Sequence, residues 1–241
     1  MSSFSTSQLL SSSGPILITD QLASPGDFLL HQLLSEYVKN FPGGKCIIIS
    51  TFLDLTKWKA IASRSGFNLA QKLEQGSIVF IDIPTQFPDL SPSKGATFLP
   101  LLGLINRYVG IKPVTCLVIF DELSSFEWIG HSASDVSRFA RALVASCTRN
   151  GVFLAIRYHI ASPDDLDDIF RGLFQLCTYH IEVLPLSSGK SSAVSGELAL
   201  HPGAALNNTP QRVIPRNRAL QYRLGEYHST YFERGMGHAV L

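Results

Sequence analysis

Short, almost wholly apolar runs alternate along this chain with longer stretches whose apolar residues recur every three or four positions. The runs include Ile16-Leu17-Ile18, Cys46-Ile47-Ile48-Ile49, Ile78-Val79-Phe80-Ile81, Leu117-Val118-Ile119-Phe120 and Val152-Phe153-Leu154-Ala155-Ile156. Unbroken apolar strands of this length suit a parallel sheet covered on both faces. Between the first two runs, Phe28, Leu29, Leu30, Leu33, Leu34, Tyr37, Val38 and Phe41 form a wide helical stripe, stopped by Pro42-Gly43-Gly44. Further helices are predicted over 54–65, 98–109 and 132–149, and one opens at Ser162-Pro163-Asp164-Asp165. Residues 181–184 and 197–200 read as strands flanking a Ser/Gly-rich loop. Residues 219–224 and 228–232 read as a hairpin about Gly225-Glu226. The alternation predicts one α/β domain over 14–241, its mainly parallel sheet flanked by helices, with antiparallel strands at the C-terminal end. The serine-rich residues 1–13 read as a flexible or loosely docked tail.

The first strand, loop and helix stand where a P-loop sits in nucleotide-binding α/β folds. A P-loop requires G-x-x-x-x-G-K-[ST], in which backbone N–H groups and Lys hold the phosphates and the hydroxyl holds Mg²⁺. With Gly26 as the second glycine, the first falls on Gln21, the Lys on Asp27 and the hydroxyl position on Phe28. Walker A is therefore not intact. A carboxylate at Asp27 about 4 Å from a phosphate charge repels it by roughly 4 kcal/mol at an effective dielectric near 20. The same residues also fit an ordinary helix start, with Ser24 as N-cap, Pro25 at N1 and Asp27 at N3. Leu117 to Phe120 followed by Asp121-Glu122 has the Walker-B form, but no upstream Lys or hydroxyl partners it. Gly189-Lys190-Ser191 lacks both the first glycine and a following helix, so it reads as an inter-strand loop.

Composition narrows the picture. The formal net charge is +1, so total charge does not advertise nucleic acid. Cys46, Cys116, Cys147 and Cys177 are widely spaced, without a metal-ligand pattern, and read as buried reduced thiols. The four Asp between 164 and 168 read as a solvated helix start rather than a metal site. No basic n-region precedes an apolar core, and no apolar run reaches the roughly 18 residues of a membrane span. One local bias stands out. From Asn207 to Arg234, Arg212, Arg216, Arg218, Arg223 and Arg234 face only Glu226 and Glu233. The segment is either a solvated basic strand edge or a subunit or RNA contact.

Three stretches together resemble the family of Elongator sixth subunits. They are Ile18-Thr19-Asp20 with Gly26 to Lys39, Gly76-Ser77-Ile78-Val79-Phe80-Ile81-Asp82, and the terminus Tyr231-Phe232-Glu233-Arg234-Gly235-Met236-Gly237-His238-Ala239-Val240-Leu241. The terminal stretch is the most specific, and the order and spacing of strands agree over nearly the whole chain. The resemblance implies a RecA-like fold without usable nucleotide-binding motifs, hence no catalytic residue, no cofactor and no metal. It implies a scaffold subunit of a heterohexameric ring with two related RecA-like subunits. Such a ring binds tRNA and assists the catalytic Elongator subassembly in wobble uridine (U34) modification. It also implies a cytoplasmic protein, with the nucleus as a second compartment, and no membrane. On this basis Arg157, Arg212, Arg216 and Arg218 are tRNA-contact candidates, and Phe126, Trp128, Tyr222, Tyr231 and Phe232 are subunit-interface candidates. For Arg157 the competing expectation is an ion pair with the acids of 164–168; for the aromatics it is burial in the core. The rival functions are an active P-loop-like ATPase using Asp121 and Glu122, and a stand-alone regulatory binding module.

Overall fold

A computed structural model describes residues 4–10, 14–64, 66–90, 97–110, 115–162, 167–189, 191, 193–206, 213–226 and 228–234. Its centre is a nine-stranded sheet. In chain order the strands are β1 (Pro15–Asp20), β2 (Lys45–Ser50), β3 (Ile78–Asp82), β4 (Cys116–Phe120), β5 (Phe153–His159), β6 (Tyr179–Leu184), β7 (Gly196–Pro202), β8 (Leu220–Leu224) and β9 (Ser229–Phe232). In space they run β3-β2-β4-β5-β1-β6-β7-β8-β9. Neighbours from β3 to β6 pair in parallel, and β7, β8 and β9 are added antiparallel.

The apolar runs are unbroken because both faces of the parallel part are covered. Alternate residues belong to opposite cores, as the two-residue period of a strand requires. Leu17, Ile47, Ile49, Val118, Phe120, Leu154 and Ile156 enter one core. Ile16, Ile18, Cys46, Ile48, Leu117, Ile119 and Ala155 enter the other. The first core is closed by α6 (Leu99–Val109), α8 (Ala133–Arg149) and α9 (Asp168–Leu176). The second is closed by α2 (Asp27–Asn40), α3 (Leu55–Arg64) and α4 (Leu69–Glu74). Two further short helices, α5 (Ile83–Gln86) and α7 (Ser125–Trp128), follow the ends of β3 and β4.

Two helix starts differ from expectation, and the tail is docked over part of its length. The helix after β1 starts at Asp27 with Gly26 as N-cap, two residues later than the Ser24 capping box requires. Ser24 instead turns the chain back, its N–H bonded to the Gln21 carbonyl at 2.9 Å. The helix predicted from Ser162 starts at Asp168, and Asp167 caps it by accepting from the Phe170 N–H at 2.7 Å; Asp164 and Asp165 lie outside the described residues. The tail is not wholly free. Residues 4–10 include α1 (Thr6–Leu9), and Phe4, Leu9 and Leu10 are buried against the α2 side of the sheet. Phe4 packs edge-on to Tyr231 of β9, so an apolar triplet docks a segment whose serines suggested freedom. All four cysteines are free and buried.

Candidate functional site

In an open α/β sheet the loops beyond the carboxyl ends of the strands form the binding edge. Here β1, β5 and β4 lie side by side, and each delivers charge to that edge. β1 ends in Asp20, and β4 is followed by Asp121-Glu122. β5 continues to His159, three residues beyond the apolar run, which sets Arg157 within the strand opposite Ile18. Arg157 is 4 % exposed. Its guanidinium holds three neighbours at once: Nη1 donates to Asp20 Oδ2 at 2.8 Å, Nη2 lies 3.0 Å from Glu122 Oε2, and Nε donates to the Asp121 carbonyl at 2.6 Å. His159 Nδ1 meets the second Asp20 oxygen at 2.9 Å. Glu122 Oε1 accepts from the Ser124 hydroxyl at 2.5 Å. Burial opposes the charge on Arg157, but Glu122 and Asp20 overrule it and hold the guanidinium more firmly protonated than usual. Burial raises the pKa of Glu122 even beside that cation.

This geometry corrects the assignment of Arg157 as a tRNA contact. Its charge is consumed inside the protein by Asp20 and Glu122; of the acids of 164–168, Asp164 and Asp165 lie outside the described residues. A guanidinium suits such a post because its planar fork serves several acceptors at once.

The loop that would cradle phosphates is also spent. The Gly26 N–H donates to Asp20 Oδ2 at 2.6 Å, and a Cβ at Gly26 would stand 3.2 Å from both Asp20 and Val183. Phe28, at the hydroxyl position, stacks on Tyr222 of β8 with centroids 4.8 Å apart. Asp121 serves the loop after β2, where its carboxylate accepts from the Ser50 hydroxyl, from the Thr51 N–H at 2.9 Å and from the Leu53 N–H at 3.3 Å. Burial raises its pKa against these hydrogen bonds. A nucleoside triphosphate with Mg²⁺ does not fit this set. The backbone donor is used, an acid stands at the Lys position, and an internal cation already sits between the carboxylates. Mg-ATP titrated into the isolated chain in a calorimeter is therefore expected to show no micromolar binding. Micromolar affinity in the chain alone would overturn that reading of the edge.

The remaining candidates divide. Phe126 and Tyr222 are buried core residues, which corrects their assignment to an interface. Tyr231 is half-buried; its hydroxyl donates to Gln32 Oε1 at 2.6 Å, so it ties β9 to α2. Phe232 is half-buried on the edge strand β9, and Trp128 is 57 % exposed. Arg216 is matched by Glu182 through two hydrogen bonds, so it is not a free cation. Burial opposes ionisation of Glu182, but His201 and Arg216 overrule it and hold its pKa down to about 2. Arg218 is exposed, and Arg212 lies outside the described residues.

Sequence reading missed three exposed apolar side chains that stand with Trp128 on the segments following β1, β2 and β4: Leu22, Phe52 and, at the end of α7, Ile129. Phe52 covers Arg157, with its ring centroid 5.9 Å from the guanidinium carbon, and Trp128 meets His159 edge-on at 5.9 Å. The charged network is thus roofed by apolar groups that themselves face outward.

No protein-family model matches the chain. The fold resembles a KaiC-like protein from the hyperthermophilic archaeon Pyrococcus horikoshii OT3, with a TM-score of 0.64 and 10 % identity over 91 % of this chain and 89 % of that one. The architecture is accordingly RecA-like, as expected. Among curated proteins, Elongator complex protein 6 of Xenopus laevis is 23 % identical over 90 % of this chain and 89 % of its own. The Rattus norvegicus protein of that name is 23 % identical and the Homo sapiens one 21 %, each over 95 % of this chain and 93 % of its own. Over nearly its whole length, then, this RecA-like chain is similar to Elongator complex protein 6, in agreement with the resemblance carried by the three stretches of its sequence.

Proposed function

We propose that this chain is a non-catalytic RecA-like scaffold subunit of the Elongator complex. In this reading it joins two related RecA-like subunits in a heterohexameric ring that binds tRNA and supports wobble uridine modification by the catalytic subassembly. The observation that carries the non-catalytic part is the Asp20–Arg157–Glu122 network, which occupies the edge where a RecA-like ATPase would work. The rival reading, an ATPase using Asp121 and Glu122, has to displace a buried guanidinium and tolerate Asp27 in place of Lys. The similarity to Elongator complex protein 6 supports membership of that complex.

The outward-facing roof of the network favours a subunit over a stand-alone module. Leu22, Phe52, Trp128 and Ile129 are each more than half exposed. Clustered apolar exposure at loops of one edge marks an interaction surface. Trp128 is its expected anchor, since aromatic residues dominate interface energetics. The test is the solution mass of the purified chain, alone and mixed with the two related subunits. A six-membered assembly is expected in the mixture, and Trp128→Ala is expected to weaken assembly at least tenfold, about 1.4 kcal/mol. A well-behaved monomer inert to both subunits would remove the scaffold reading and leave the stand-alone module. For tRNA, Arg218 is the exposed arginine kept as a candidate, and the assembled ring with Arg218→Ala is expected to bind tRNA with a shallower salt dependence.

A further inference from the structure

At the Tyr158 hydroxyl, β5 meets α7 and the start of α9. Tyr158 stands on β5, Glu127 on α7, and Asp167 caps α9. Tyr158 is 1 % exposed, and its hydroxyl lies 2.9 Å from Glu127 Oε2 and 2.7 Å from Asp167 Oδ2. A phenol has one proton to give and lone pairs to receive with, so it cannot donate to both carboxylates at once. Nor does it lose that proton. Burial first, then its bonds to Asp167 and Glu127, push its pKa well above the ordinary phenol value. With both acids ionised, one of the two contacts sets oxygen against oxygen with no hydrogen between them.

The surroundings decide which acid takes the missing proton. Asp167 has a second donor, the Phe170 N–H at 2.7 Å, at a helix start whose dipole favours negative charge. Among the described residues, Tyr158 is the only hydrogen-bond partner of the Glu127 carboxylate. The other titratable groups of the elements around it have partners of their own. Asp168 pairs with Arg171 at 3.2 Å, Asp135 with Arg138 at 3.4 Å, and Arg157 and His159 with Asp20. His131 Nε2 meets the Leu90 carbonyl at 3.3 Å, and Asp164 and Asp165 lie outside the described residues. Burial raises the Glu127 pKa, the Tyr158 hydrogen bond works against that rise, and the charge of Asp167 adds to it.

We propose that Glu127 is a proton-operated latch between α7, β5 and the start of α9. When Glu127 takes one proton from solvent, its O–H donates to the Tyr158 oxygen, the Tyr158 O–H donates to Asp167, and the chain of three closes. When Glu127 returns that proton, it repels Asp167 and the latch opens. The next residue is Trp128, so on the scaffold reading above, on which this last step rests, the latch sets how firmly the anchor of the assembly is held.

A carboxyl whose folded pKa lies above its unfolded one destabilises the fold when ionised, so stability rises as the pH falls through the folded pKa. Glu127→Gln keeps the size and a donor of the protonated form and cannot ionise. In thermal unfolding of the full chain, this variant is expected to have a higher midpoint than wild type near about pH 7.5 and the same midpoint near about pH 4. Asp167→Asn keeps the helix cap but removes the repelling charge. In its background the gain from Glu127→Gln is expected to shrink. In the mixture with the two related subunits, wild type relative to Glu127→Gln is expected to gain about threefold in affinity between about pH 7.5 and about pH 5.5.

A Glu127→Gln chain less stable than wild type near about pH 7.5, or a midpoint difference that does not change with pH, overturns the proposal. An ordinary hydrogen bond from Tyr158 to an ionised Glu127 would give the first of these. The same pH dependence of assembly in wild type and variant also overturns it. The two levels separate cleanly. The expected midpoints in a chain that never assembles keep the latch and discard the scaffold, whereas assembly with pH-independent midpoints does the reverse.

Discussion

Arg157→Ala is expected to lower the stability of the protein by about 3–5 kcal/mol, the range for removing one partner of a buried charge pair. Two carboxylates, Asp20 and Glu122, would be left buried with their shared cation gone, together with the Asp121 carbonyl. Arg157→Lys is expected to recover only part of the loss, since an ammonium is a point charge and the three acceptors lie around a planar fork. Acid should narrow the gap. A carboxylate whose folded pKa lies above its unfolded one destabilises the fold when ionised, and that penalty is lost as the pH falls through the folded pKa. Glu122 is already raised with the guanidinium present and should rise further without it. The deficit relative to wild type is therefore expected to be largest near pH 7 and to shrink toward about pH 4–5. Denaturant unfolding at both pH values measures it. A loss below about 1 kcal/mol, or a gap that widens on acidification, would contradict the buried network.

The strands and the two-sided covering of the sheet were legible because each apolar run is read locally. Burial on both faces leaves no polar position within Ile47-Ile48-Ile49 or Leu117-Val118-Ile119-Phe120. The helix start after β1 was misplaced for a local reason too. Ser24-Pro25-Gly26-Asp27 fits a capping box by residue type, but the Gly26 N–H is claimed by Asp20, six residues upstream. The docking of Phe4 on Tyr231 joins the two ends of the described chain, a contact that no local window holds.

The altered phosphate loop was legible from Gln21, Asp27 and Phe28 alone. What replaces the phosphate was not. Asp20, Glu122 and Arg157 become neighbours only because β5 lies between β1 and β4, and strand order is not written in periodicity. Once that order is known, the signal is plain: acids end two strands, and a base stands on the strand between them. Two interface candidates, Phe126 and Tyr222, are buried for a reason of the same kind. Phe126 and Trp128 are two residues apart on α7, yet the first fills the core against Phe98, Phe120 and Phe139 and the second faces outward. On so short a helix, residue type alone does not choose between them.

Asp121→Ala is expected to be the second most damaging substitution, at about 2–4 kcal/mol, and to leave the chemistry of the complex intact. Asp121 is buried, and its carboxylate collects the Ser50 hydroxyl and the N–H groups of Thr51 and Leu53. Hydrogen bonds to a charged acceptor contribute about 1.5–3 kcal/mol each at most, and each donor left unmatched in the interior costs about 1–3 kcal/mol. Asp121→Asn keeps one acceptor oxygen and turns an amide toward the remaining donors, so it is expected to fall between wild type and alanine. The damage should concentrate in residues 51–54, the loop that carries Phe52 over Arg157. Faster amide hydrogen exchange at Thr51 and Leu53 in the variant reports it directly. If Asp121 is a clamp for that loop and not a metal-holding acid of an ATPase, tRNA carrying the wobble modification should still accumulate wherever the variant is folded and assembled. Complete loss of the modification in a folded, assembled Asp121→Ala complex, with normal exchange at 51–54, would return catalysis to this subunit and restore the ATPase reading.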